Sequence, residues 1–150
     1  MKHLVALLPF LFFAIAACAH SNDDAVDPLA LPSKPIGPSV ECGLELTKEN
    51  LCATIVWEAE PTETTKGSFL LRFSSRSGTP MTPVQTVAVK LWMPTMGHGS
   101  SPVQIAPVDP NTYRISDVYF VMAGRWEIHV QLKNGSTLVD EAIQLYDAHD

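Results

Sequence analysis

Arg125-Trp126-Glu127-Ile128-His129-Val130-Gln131-Leu132-Lys133-Asn134-Gly135-Ser136-Thr137 is the stretch that decides the fold. Trp126, Ile128, Val130 and Leu132 recur at a period of two with polar residues between them. That alternation describes a strand with one apolar and one solvated face. Asn134-Gly135 is the strongest two-residue hairpin signal in the chain and predicts a return into a last strand, Thr137 to Leu145.

The same period runs through the segments upstream, and none sustains a helical pattern. Leu51, Ala53, Ile55 and Trp57 mark a first strand, and Phe69, Leu71 and Phe73 a second. The strand Val84 to Met93 carries an inward row of Val87, Val89, Leu91 and Met93, opposite Thr86, Ala88, Lys90 and Trp92. Val103 to Val108 follows, then the turn Asp109-Pro110-Asn111 and a strand from Tyr113 to Val121. Ala123-Gly124 reads as a tight hairpin connection into Arg125. About seven strands with regular turn signals predict an antiparallel immunoglobulin-like β-sandwich, with a small β-barrel as the alternative.

The chain opens with Met1-Lys2-His3 and an apolar run from Leu4 to Ala17, the basic start and short apolar core of an export signal. Ile15-Ala16-Ala17-Cys18 resembles a bacterial lipoprotein signal, in which Cys18 takes the lipid and becomes the mature N-terminus. Cleavage near Ala19, with Cys18 discarded, is the alternative. Ala19 after Cys18 resembles lipoproteins sent to the outer membrane. Residues 1–17 are then leader, 18–40 a tether containing Pro28, Pro32, Pro35 and Pro38, and 41–150 the folded domain. The expected setting is the cell envelope, with the membrane as partner through the lipid.

The formal net charge is −6, and loss of Lys2 with the leader makes it −7. Such acidity argues against nucleic acid, which selects a basic face. Cys42 and Cys52 remain once Cys18 is lipidated, and an oxidising compartment favours their pairing. A redox or metal-binding role for the two thiols is the alternative, although the compact C-x-x-C form is absent.

Leu91-Trp92-Met93-Pro94-Thr95-Met96-Gly97-His98-Gly99-Ser100-Ser101 has a composition that no core, turn or surface requires. Two thioethers and an imidazole lie within six positions, among Pro94, Gly97 and Gly99, which can bend the backbone to converge them. Soft sulfur donors with an imidazole suit Cu(I). Met93 also fits as the last core residue of its strand, and Met96 with His98 as an exposed loop. If successive strands alternate in direction, Met122 arrives at the same end as this loop, as a fourth donor or as a core residue at a strand end. Nine residues of strand at about 3.3 Å each place Met81 at the far end. His129, out of phase with Ile128 and Val130, points outward, and His20 and His149 fall in flexible termini where metal binding is weak.

Leu91-Trp92-Met93-Pro94-Thr95-Met96-Gly97-His98-Gly99, with Tyr119-Phe120-Val121-Met122-Ala123-Gly124-Arg125-Trp126-Glu127-Ile128, is similar to the YtkA-like domain family, which is related to the FixH-like proteins. The resemblance covers roughly Cys52 to Leu145, and M-P-x-M-G-H-G is its most specific element. It implies a small exported or membrane-anchored β-sandwich associated with copper handling or haem-copper oxidase assembly, and a shared site for Met93, Met96, His98 and Met122. The pair Cys42 and Cys52 lies outside that pattern.

Two functions follow as expectations. One is a lipid-anchored Cu(I) carrier or buffer, partnered by an oxidase assembly or copper efflux protein. The other is a metal-free interaction module in which Trp92 beside Pro94 is the exposed anchor. An enzyme is not expected, because G-x-S-x-G, H-E-x-x-H and C-x-x-C are all missing.

Overall fold

The computed structural model describes residues 42–149 apart from residue 63. The expected leader, the expected lipidation site Cys18, the expected tether and His20 lie outside the described residues. Nine strands are present among the described residues: β1 Leu44–Leu46, β2 Leu51–Ala59, β3 Gly67–Ser74, β4 Thr86–Met93, β5 His98–Gly99, β6 Gln104–Asp109, β7 Thr112–Val118, β8 Gly124–Asn134 and β9 Thr137–Ala148. They form two antiparallel sheets, β1-β2-β3-β7-β6 and β5-β4-β8-β9. Setting β2-β3-β7-β6 against β5-β4-β8-β9 gives the immunoglobulin strand order, with the chain crossing between sheets after β3, β5 and β7. Both sheets have open edges, so the molecule is a sandwich and not a barrel. All seven expected strands are present, and the short β1 and β5 are additional.

The alternation in the sequence is what fills the space between the sheets. Trp126, Ile128, Val130 and Leu132 of β8 are all fully buried, as are Phe69 and Leu71 of β3 and Ile115 of β7. Each such apolar side chain contributes about 1.5–3 kcal/mol by leaving water. The aromatic residues stack in a row: Trp57 meets Phe69 at 5.0 Å and Tyr146 at 5.2 Å, Phe120 stacks on Tyr146 at 4.6 Å, and Trp126 lies 5.2 Å from Phe120. Burial, with the charge of Glu60, raises the Tyr146 phenol above its ordinary pKa.

Two connections and the end of the last strand differ from the sequence expectation. The β8–β9 turn is centred on Gly135-Ser136, with Asn134 paired to Thr137. Gly135 takes φ +60, the left-handed value that a type II′ turn requires at its first central position. Strand β7 ends at Val118, one residue past an irregularity in its pairing with β3 at which Asp117 adopts φ +59. Residues 119–123 cross from one sheet to the other, so Ala123 ends that crossing, Gly124 opens β8, and the pair makes no hairpin. The last strand runs to Ala148, three residues beyond Leu145, with Gly124 paired to Ala148.

Cys42 and Cys52 form a disulfide across a Cα separation of 5.3 Å. In the chain-entropy description a loop of this size is worth about 2–3 kcal/mol. Cys52 pairs with Ser74 at the end of β3, so the disulfide lies at the rim opposite the one reached by the ends of β2, β4 and β9. Asp140, 4% exposed, also holds that lower end. Its carboxylate accepts the backbone N–H groups of Lys48 and Glu49 at 2.7 and 3.0 Å, tying the β1–β2 turn to β9.

His129 does face away from the core, yet its side chain is only 13% exposed. Glu127 and Glu141 place carboxylate oxygens 2.9 Å from its two ring nitrogens. Burial alone would raise the pKa of Glu141. The hydrogen bonds from Gln131 and His129, with the positive charges of His129 and Lys90, overcome it and hold the carboxyl below its ordinary 4.5. A carboxyl depressed in the folded state contributes stability above its unfolded pKa and loses it as pH falls through the folded value. Thermal unfolding followed from pH 6 to below pH 4.5 is therefore expected to show a shallower acid loss of Tm in Glu141→Gln than in the parent. Parallel profiles would contradict this role for Glu141.

Candidate functional site

Strands β4 and β5 form a hairpin closed by Pro94-Thr95-Met96-Gly97. The N–H groups of Met96 and Gly97 both donate to the Met93 carbonyl, at 3.2 and 3.0 Å, and Gly97 takes φ +66 to reverse the chain. Met93 and His98 are thereby directly paired across the hairpin. Paired residues share a face of the sheet with Cβ atoms about 4.5–5.5 Å apart. Met93 occupies the end of the inward row and is 6% exposed, within the core as its strand period requires. Met96 stands at the turn and is 59% exposed.

His98 is half-buried, with its ring edge-on to Trp126 at 5.9 Å between centroids. Its Nδ1 lies 3.2 Å from the Gly99 carbonyl. An N–H donated there leaves the imidazole lone pair on Nε2. The Trp126 Nε1–H donates to the Met122 carbonyl at 3.0 Å. One indole therefore touches His98 on the β4–β5 hairpin and fixes the backbone of Met122 on the β7–β8 crossing. A second tie runs from the Ser100 hydroxyl to the Tyr119 carbonyl. Met122 is 42% exposed, so its thioether is not part of the core although Val118 and Phe120 before it are buried. Met93 completes the contact: its Cε lies 2.7 Å from where a Cβ on Gly124 would stand.

The structure thus brings Met93, Met96, His98 and Met122 to one rim. Met93 lies beneath the surface, Met96 and Met122 are exposed, and His98 is half-buried against Trp126. Met81, 41% exposed, follows the isolated bridge of Ser74 to Pro80 at the lower rim. Trp92 lies on the outer face, paired with Gly99 and Glu127, with the Lys90 ammonium 3.9 Å from its ring centroid. One face of the indole is therefore already covered, while Pro94 is exposed. Neither nitrogen of His129 is open to a metal, because a carboxylate stands against each. Among the described residues no three His, Cys, Asp or Glu side chains gather to hold a metal ion. The donor side chains present at this rim are thioethers and one imidazole, types matched to a soft ion.

Trp126 and Gly124 are the residues whose part the sequence did not reveal. A buried tryptophan four residues after Met122 was legible as core, but its N–H must find an acceptor once buried, and that requirement points to the adjacent crossing. The arrangement is that of a small β-sandwich carrying its distinctive side chains on the loops of one rim. The YtkA-like family model matches residues 45–131, which include Met93, Met96, His98 and Met122, and the chain belongs to the YtkA-like family. No curated protein matches the chain.

Gly124 has φ +131, and a Cβ there would meet the Met93 methyl. Gly124→Ala is expected to cost about 1–3 kcal/mol through backbone strain and to displace the Met93 side chain. Chemical denaturation gives the first, and the Met93 methyl NMR shift gives the second. Unchanged values of both would contradict the contact.

Proposed function

We propose that this protein is a lipid-anchored Cu(I) carrier or buffer of the cell envelope, serving haem-copper oxidase assembly or copper tolerance. The observation that carries this reading is that Trp126 meets the His98 ring and binds the Met122 backbone carbonyl, which sets the β4–β5 hairpin and the β7–β8 crossing at one rim. Thioether and imidazole donors form a neutral soft site that favours Cu(I) over harder ions. Exposure of Met96 and Met122 suits a cargo that must leave again for a partner. Lipidation at Cys18 would hold the domain at the membrane, on the periplasmic face of the outer membrane. The disulfide supports an oxidising, exported setting. The protein is then a carrier and not an enzyme.

A metal-free interaction module is the second reading, favoured by the exposed apolar side chains of Met96, Val121 and Met122 at the same rim. In that case a partner docks there without copper, with Trp92 and Pro94 at the border of the contact.

Titration of the protein with Cu(I) against a competing chelator separates the two. Met96→Ala combined with His98→Ala is expected to weaken the first Cu(I) equivalent by at least about tenfold, or 1.4 kcal/mol. Affinity unchanged in the double variant would end the copper reading. Metal-free capture of a partner that is lost in Trp92→Ala would then select the second.

A further inference from the structure

The rim holds a histidine that neither the hairpin nor the family match includes. Gly124 pairs with Ala148, so the next positions along the two strands are Ala123 and His149. The hairpin register thereby delivers His149 beside the segment that carries Met122. Between them is a recess of about 160 Å³. Its walls include Pro61, Thr62, Phe120, Met122, Ala148 and His149. None of the residues that line it is acidic or a cysteine. Beside the neutral hydroxyl-bearing residues Thr62 and Tyr119, the soft metal donors it offers are a thioether and an imidazole.

The backbone at Met122 is held by a hydrogen bond, while the residue is 42% exposed. Trp126 donates that bond at 3.0 Å, and the Met122 side chain has three rotatable bonds. The recess is several times the roughly 30 Å³ share of one water molecule. An ion held on its wall leaves space for a further donor to enter from a partner.

We propose that the Met122 thioether, turned toward His149 across this recess, forms with it a second Cu(I) station, the Met96–His98 hairpin then holding the first ion without Met122. The proposal rests on the copper reading above and extends it from one site to two neighbouring ones. Cargo bound at the hairpin then has an adjacent soft pair from which an incoming chain can take it by exchanging donors. His149 lies past residue 131, where the family match ends, so the station is a property of this chain and not of the matched region.

The test uses the full chain, Cu(I) as the only ligand, and a competing chelator, with His149 ring and Met122 methyl signals followed by NMR. The parent is expected to bind two equivalents, and the second moves both sets of signals. His149→Ala should weaken that second equivalent by at least about tenfold, the smallest effect expected for losing a donor given that supporting residues alone cost 10–100-fold. Met96→Ala with His98→Ala should retain the equivalent that depends on His149. Two equivalents of unchanged affinity in His149→Ala, or His149 signals that do not move in the parent, overturn the station. If the double variant alone loses copper, the hairpin site stands and the station falls. If His149→Ala alone loses it, the station stands and the hairpin site falls. A parent that binds no Cu(I) removes both.

Discussion

The Trp126 indole is the joint on which the functional rim depends. Its body is fully buried between the sheets, and its one polar atom reaches the edge of the core, where it donates to the Met122 carbonyl. A buried indole N–H without an acceptor would cost about 1–3 kcal/mol. The crossing from β7 to β8 is therefore constrained to pass where its carbonyl can meet that demand. The same ring offers its surface to His98 from the facing hairpin. Two loops that are far apart in the chain are thus set by a single core side chain, and the rim inherits the rigidity of the sandwich interior.

That interior is continuous with the rim. From His98 the rings of Trp126, Phe120, Tyr146, Trp57 and Phe69 follow one another at centroid distances between 4.6 and 5.9 Å. Offset and edge-on aromatic pairs add about 0.5–1.5 kcal/mol each beyond the area they bury. The disulfide and Asp140 secure the opposite end, where β1 and its turn meet β2 and β9. Stabilising contacts are thereby concentrated in the core and at the lower rim. Met96, Val121 and Met122 are left exposed at the upper one, which is the distribution suited to a domain that presents a small adaptable surface on a fixed frame.

Much of this was legible because a strand writes its buried face at every second residue. Val87, Leu91 and Met93 on β4 and the four inward residues of β8 were readable on that basis, and so was the sandwich they fill. The parity of strand directions also placed Met122 at the same rim as His98. What periodicity could not supply was the identity of sheet partners. Ala123-Gly124 has the composition of a hairpin, but the strands on either side of it, β7 and β8, lie in different sheets. The clamp on His129 was equally hidden, because Glu141 comes from β9, the other arm of the same hairpin. His149 resembled a loose terminus until β9 proved to continue as far as Ala148. Each of these depends on register, which one strand's pattern does not encode.

The most direct measurement is the set of through-space proton contacts of the Trp126 indole in solution, together with the exchange rate of its Nε1–H. Contacts to both the His98 ring and Met122, with slow exchange of the Nε1 proton, are the result expected if this side chain joins the two loops. An indole in contact with only one of them, or an Nε1–H that exchanges as fast as a solvent-exposed one, would contradict the account.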